Sequence, residues 1–198
     1  MKPLLASVGM LPLALLVAEA LGGTLSPNPI EDITRATGLW TLRFVLITLA
    51  ITPLGDLSGV DAIFRFRRML GLFAFFYCSL HFLTYLWLDQ FFDLQAILAD
   101  VPKRPFITVG FASFVLMIPL AWSSTDRIVR WMGLRTWELL HRLVYASAVG
   151  GTLHYLWLVK ADTRGPLLYG GVLSVLLAYR ILKALGRRGK TRSQDGSL

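Results

Sequence analysis

Apolar residues fill six blocks of the chain, at 4–22, 38–54, 69–88, 106–122, 136–159 and 166–185, with short polar connections between them. A helix of about twenty residues rises about 30 Å, the thickness of a bilayer's hydrocarbon core. Backbone groups in lipid must be satisfied within the protein, so blocks of this length predict helices. The expected fold is therefore all-α: a polytopic membrane bundle of six transmembrane helices. Residues 1–186 read as one domain, and 187–198, RRGKTRSQDGSL, as a basic cytoplasmic tail drawn to anionic lipid. The first block also resembles a signal peptide, because Lys2 precedes it and Ala18-Glu19-Ala20 gives an A-x-A site. The charge pattern below favours a retained span.

Lys and Arg alternate in density from loop to loop. Lys2, Arg65, Arg67, Arg68, Arg127, Arg130, Arg135, Arg180, Lys183, Arg187, Arg188, Lys190 and Arg192 make thirteen on one side, and Arg35, Lys103, Arg104, Lys160 and Arg164 make five on the other. The positive-inside rule puts the thirteen, and both termini, in the cytoplasm. An even number of spans agrees.

Composition narrows the class. The 198 residues are 55% hydrophobic and 16% charged, against about 45–50% and 25% for a soluble domain. That excludes a disordered chain and a soluble single-core enzyme. The net charge of +8 sits in loops and tail, so it points to a membrane surface and not to nucleic acid. Cys78 is the only cysteine, which excludes an intrachain disulfide and a cysteine metal cluster.

All three histidines lie inside spans, where ionisable groups are costly and face the bundle interior. His81 stands eight residues before Asp89 and His154 six before Lys160. Both thus fall in the outer halves of helices that run the same way. Two imidazoles at one depth are an axial pair for haem; the plainer reading is a pair of core histidines hydrogen-bonded between helices. Because no C-x-x-C-H occurs, the haem would be b-type. His141 lies near the inner end, thirteen residues before His154. That is about 20 Å along a helix, but it also turns the ring about 140° away, unless winding changes at Gly150-Gly151. A fourth histidine is missing: thirteen residues before His81 stands Arg68. His141 therefore either ligates a second haem with another partner or positions a flavin or quinone beside Arg68 and Arg142.

Other buried charges have two readings each. Arg43 either pairs with Glu19 or holds a haem propionate. Arg142 either snorkels to the inner surface or joins the inner site. Arg65, Arg67 and Arg68 either signal topology or bind propionates or a flavin phosphate. The chain has no G-x-G-x-x-G after a strand and no P-loop, so electron donor and acceptor come from elsewhere.

The run Arg67-Arg68-Met69-Leu70-Gly71-Leu72, followed by Phe75-Phe76-Tyr77 and Leu80-His81, resembles the RR-x-LGL…FxY…LH signature of the ferric-reductase-like transmembrane superfamily. Trp137-Glu138-Leu139-Leu140-His141-Arg142-Leu143-Val144-Tyr145 resembles its W-x-x-L-H-R-L-x-Y signature. Within the superfamily, the six spans and short length resemble the haem-binding membrane subunits of periplasmic methionine sulfoxide reductases. That resemblance implies electrons taken from the quinone pool or a cytoplasmic flavin reductase. It implies delivery to a periplasmic molybdopterin catalytic subunit that repairs oxidised proteins, with FMN as an associated cofactor. The competing readings are a free-standing ferric reductase or quinol oxidase, and a small transporter or assembly factor with structural histidines.

Overall fold

The computed structural model describes residues 2–159 and 161–195, with the side chains of Lys2 and of 187–195 left aside. Among the described residues the structure is helical throughout, with no strand. The helices are α1 (Lys2–Leu21), α2 (Pro29–Ser58), α3 (Arg67–Thr84), α4 (Leu94–Lys103), α5 (Pro105–Trp122), α6 (Asp126–Met132), α7 (Leu134–His141), α8 (Leu143–Leu158) and α9 (Arg164–Asp195). A 3₁₀ turn at Asp61–Phe66 leads into α3, and a π-helical turn at Tyr85–Asp89 follows it.

Among the described residues, five helical stretches are long and apolar enough to cross a membrane: Pro3–Leu21, Pro29–Ser58, Asp61–Asp89, Pro105–Trp122 and Arg164–Gly186. The block at 136–159 is not among them, because it divides at Arg142 into α7 and the 16-residue α8. At the break the Arg142 N–H reaches the Leu139 carbonyl and Tyr145 N–H reaches the Arg142 carbonyl, a turn tightened to i→i+3 spacing. Gly150-Gly151, where changed winding was expected, lies within the unbroken α8. The basic segment after residue 186 continues α9 as far as Asp195; Lys160 and residues 196–198 lie outside the described residues.

α2 is the central helix. Its start is set nine residues before its apolar block. Asn28 caps the Glu31 N–H, Pro29 occupies the first turn, and Glu31 and Asp32 complement the N-terminal dipole. Gly59, at φ 68°, ends it in the left-handed conformation that only glycine adopts freely. Leu42, Phe44, Val45, Leu46, Leu49 and Ile51 of α2 form most of the core with Leu70, Ala74 and Tyr77 of α3. Phe44 stacks on Phe73 and Tyr77 at centroid distances of 5.4 and 5.3 Å.

Three polar devices hold the other helices. The Tyr77 hydroxyl donates to the Gly9 carbonyl and accepts from Leu13 N–H; it enters the α1 ladder beside Pro12, which removes an N–H there. Arg180 of α9 donates to the Leu49 carbonyl at 2.8 Å, to Thr52 and to the Tyr145 hydroxyl. Pro53 has no N–H for Leu49, so Arg180 supplies one. Finally, α5 and α8 pack closely through small residues: Ser147 donates to the Ser113 carbonyl at 3.0 Å, and a Cβ on Gly150 would stand 2.2 Å from Ser113 Oγ.

Candidate functional site

α3 and α8 each follow a single antiparallel return from the same end of the bundle, so they run in one direction. They carry His81 and His154 to the same level, with ring centroids 5.9 Å apart and planes at 73°. Both rings are half-buried. His81 Nδ1 lies 2.9 Å from the Thr34 carbonyl of α2, and His154 Nδ1 lies 2.7 Å from the Phe106 carbonyl of α5. A carbonyl only accepts, so each Nδ1 carries the proton and each Nε2 keeps its lone pair. Metal-ligating histidines characteristically have this second bond.

The ligand set decides which kind of metal group fits. Among the described residues no three His, Cys, Asp or Glu side chains gather to hold a metal ion. A bare transition-metal ion draws three or four ligands from its protein, whereas haem iron brings four equatorial nitrogens and needs two axial ones. Two metal–imidazole bonds of about 2 Å each, plus the depth of two rings, call for centroids about 6 Å apart. The observed 5.9 Å fits. Phe106 lies 6.1 Å from His154, and Phe82, next to His81 in sequence, stacks on Phe114 between α3 and α5.

Arg43 is not paired with Glu19; no ion pair of Glu19 occurs among the described residues. Arg43 Nε donates to the Tyr169 hydroxyl at 2.9 Å, and its guanidinium lies over Trp40 at 4.6 Å. The early start of α2 explains this, because it places Arg43 midway along the helix and five residues inward of Gly38, which touches His81.

The inner end differs from the expected grouping. Arg68 is exposed and pairs with Asp126 of α6 at 2.5 Å. Arg142 is exposed at the α7–α8 break. Neither meets His141. Its neighbour is Arg67, half-buried beside Arg180, Tyr145 and Glu138. His141 Nδ1 donates to the Trp137 carbonyl of its own helix at 3.0 Å, and the Trp137 ring stacks on it at 3.9 Å. The Leu120 carbonyl also faces the ring. Among the described residues no second imidazole stands against it. Arg180 and Tyr169 are the functional neighbours that sequence reasoning missed. Arg180 could have been found from its place inside an apolar block together with the unpaired carbonyl that Pro53 implies.

The structure is a bundle of apolar helices that brings two imidazoles to one level. A family model described as ferric reductase like transmembrane component matches residues 5–152, and the chain belongs to that family. Over 99% of its length it is 50% identical to the protein-methionine-sulfoxide reductase heme-binding subunit MsrQ of Herminiimonas arsenicoxydans, covering 91% of that protein. It is 51% identical to the MsrQ subunit of Bordetella parapertussis, over 96% of this chain and 93% of the relative. With that of Azospira oryzae it is 51% identical, over 84% and 72%. No solved structure matches.

Proposed function

We propose that this chain is the haem-binding membrane subunit of a methionine sulfoxide reductase, a b-type cytochrome that passes electrons to a catalytic partner. The observation that carries the reading is the His81–His154 pair, 5.9 Å apart with both Nε2 atoms free to ligate. The names of full-length relatives support haem binding and the reductase system.

Haem supplies a one-electron store at its iron when bound. The chain's own residues do the rest. His81 and His154 would hold the iron from two helices, and the Thr34 and Phe106 carbonyls hold the two rings in one tautomer. The aromatic wall keeps water from the centre, which lowers the local dielectric and favours a group without excess charge. Arg43, five residues inward of Gly38 on α2, is the basic group available to a propionate. At the inner end His141 and Arg67 form an electron-entry site, for a second haem or for a flavin or quinone. The α7–α8 pair completes a sixth span, and the charge pattern supports cytoplasmic termini in the bacterial inner membrane.

The donor is the quinone pool or a cytoplasmic flavin reductase, and the acceptor a periplasmic molybdopterin subunit. The outer loops are too small for sulfoxide chemistry. They offer a docking face instead, where α4 presents exposed Leu94 and Leu98 beside exposed Phe91 and Phe92. Reconstitution tests the reading. Chemically reduced membranes holding this chain should be reoxidised by the molybdopterin partner plus methionine sulfoxide. Persistent reduction, with haem intact and the partner active on artificial donors, contradicts it. In a second assay, in which the cytoplasmic donor reduces the oxidised membranes, His141→Ala should slow reduction and spare the His81/His154 haem signal; unchanged reduction leaves His141 a core residue.

A further inference from the structure

The two histidines share a local construction. Gly38 of α2 stands four residues after Thr34, whose carbonyl receives His81. Gly110 of α5 stands four residues after Phe106, whose carbonyl receives His154. A Cβ on Gly38 would lie 3.0 Å from His81 Cε1 and 3.1 Å from its Nδ1. A Cβ on Gly110 would lie 2.7 Å from His154 Nδ1 and 3.0 Å from its Cε1. The two rings therefore rest face or edge against bare backbone, each on a different neighbouring helix.

The geometry of an α-helix explains the spacing. A side chain leans back toward the N-terminus and covers the turn before its own Cα. The side chain at position i+4 therefore shields the carbonyl of residue i from an approaching group. Glycine at i+4 leaves that carbonyl open to accept from the side while it stays in the helical ladder; at Thr34 the imidazole shares the oxygen with the Thr37 hydroxyl, which lies 3.0 Å away and closer to the Ile33 carbonyl, at 2.8 Å. Each carbonyl–glycine pair thus makes a slot into which one imidazole slides edge-on.

We propose that Gly38 and Gly110 are positioning residues for the metal ligands, each required to admit an imidazole to the carbonyl that fixes its tautomer. The proposal rests on haem ligation by His81 and His154. Neither glycine touches the haem in this account; each acts through its histidine. With a methyl group in the slot, the ring moves away from the carbonyl and the Nδ1–H bond is lost. A histidine without that bond is a weaker electron donor to iron, so the oxidised form loses stability and the midpoint potential rises. Gly110 has the tighter contact, so the effect is larger there.

The test uses Gly38→Ala and Gly110→Ala in the full chain purified in detergent. Gly71→Ala in α3 and Gly151→Ala in α8 are the controls. They make the same change on the histidine-bearing helices, where a Cβ meets only an ordinary 3.8 Å contact with Thr48 or open space. The readouts are the haem-to-protein ratio, the low-spin electron paramagnetic resonance signal of the oxidised protein, and the midpoint potential. Gly110→Ala should bind haem at less than half the wild-type ratio, or show a high-spin signal that added imidazole converts back to low spin. Gly38→Ala should keep its haem with a shifted low-spin signal and a raised potential. Both controls should match the wild type. If Gly110→Ala does not fold, Gly38→Ala decides alone. Wild-type ratio, signal and potential in the variants that fold overturn the proposal while leaving the histidine assignment standing. Absence of a bis-imidazole signal in the wild type would instead overturn the assignment on which the proposal rests.

Discussion

Arg180 takes the place of the N–H that Pro53 lacks: its guanidinium donates to the Leu49 carbonyl at 2.8 Å, four residues before the proline. The contact ties α9 to the central helix and, through the Tyr145 hydroxyl at 3.0 Å, to α8. A hydrogen bond from a charged group contributes about 1.5–3 kcal/mol. Arg180→Met should therefore lower the thermal stability of the detergent-solubilised protein by roughly that amount. In a Pro53→Ala background the helix supplies its own N–H to Leu49, and the loss should shrink by about 0.5 kcal/mol or more. Strictly additive effects of the two substitutions would show that the carbonyl is not what Arg180 serves.

The contact between Gly150 and Ser113 makes a second prediction. Alanine at 150 gains helix propensity of about 1 kcal/mol, yet its Cβ would stand 2.2 Å from Ser113 Oγ. Overpacking of this kind costs about 1–3 kcal/mol, so Gly150→Ala should lower the melting temperature. Adding Ser113→Ala removes the offending oxygen and leaves Ser113 Cβ and Val109 Cγ1, each at 3.5 Å, as the nearest atoms, so the double variant should recover most of the loss. No recovery would place the strain elsewhere.

The end of the bundle that carries α4 should respond to acid. Asp100 accepts from Arg104 Nε at 2.6 Å and from the Tyr85 hydroxyl at 3.0 Å, and so joins α4 to the end of α3. The hydrogen bond from Arg104 is the main cause holding the Asp100 carboxyl below its ordinary value, and Asp100 in turn raises Arg104. A lowered carboxylate contributes stability that is complete above its unfolded value, about 3.9, and fades as pH falls through the lower folded one. The melting-temperature gap between wild type and Asp100→Asn should be constant from neutral pH to about 5 and close below about pH 4. A gap that persists at pH 3 would contradict the ion-pair account.

The count of thirteen basic residues against five predicts cytoplasmic termini. A C-terminal alkaline phosphatase fusion should be inactive and a fluorescent-protein fusion bright. The opposite pair of results would invert the bundle and with it the compartment that the His81–His154 site faces.

Much of this architecture is legible in the residues, because lipid imposes a simple code. Length of apolar run reads as helix, and depth along parallel helices puts His81 and His154 at one level. Pattern alone misjudges helix ends that polar caps determine. Asn28, Pro29 and the acidic first turn carry α2 well outside its apolar block, which moves Arg43 from a helix end to mid-helix and into contact with Tyr169. The turn at Arg142 is also hard to place from pattern, since Leu139 and Leu140 precede it and Leu143 and Val144 follow it. Side-chain choice at the inner end is equally hidden. Of two adjacent arginines, Arg68 is exposed and pairs with Asp126 while Arg67 is half-buried, a difference of one helical step that no composition records. The glycine slots also escape a single-sequence reading, because Gly38 and Gly110 matter only through what lies across from them.

The most direct measurement is the reduced-minus-oxidised absorption spectrum of the purified protein, with its haem-to-protein ratio, in the wild type and in His81→Ala and His154→Ala. The account predicts a low-spin b-type spectrum in the wild type. It predicts that each substitution removes the signal of the His81–His154 haem while the protein stays monodisperse. A wild-type spectrum and ratio in both variants, or a wild type without haem, would contradict it.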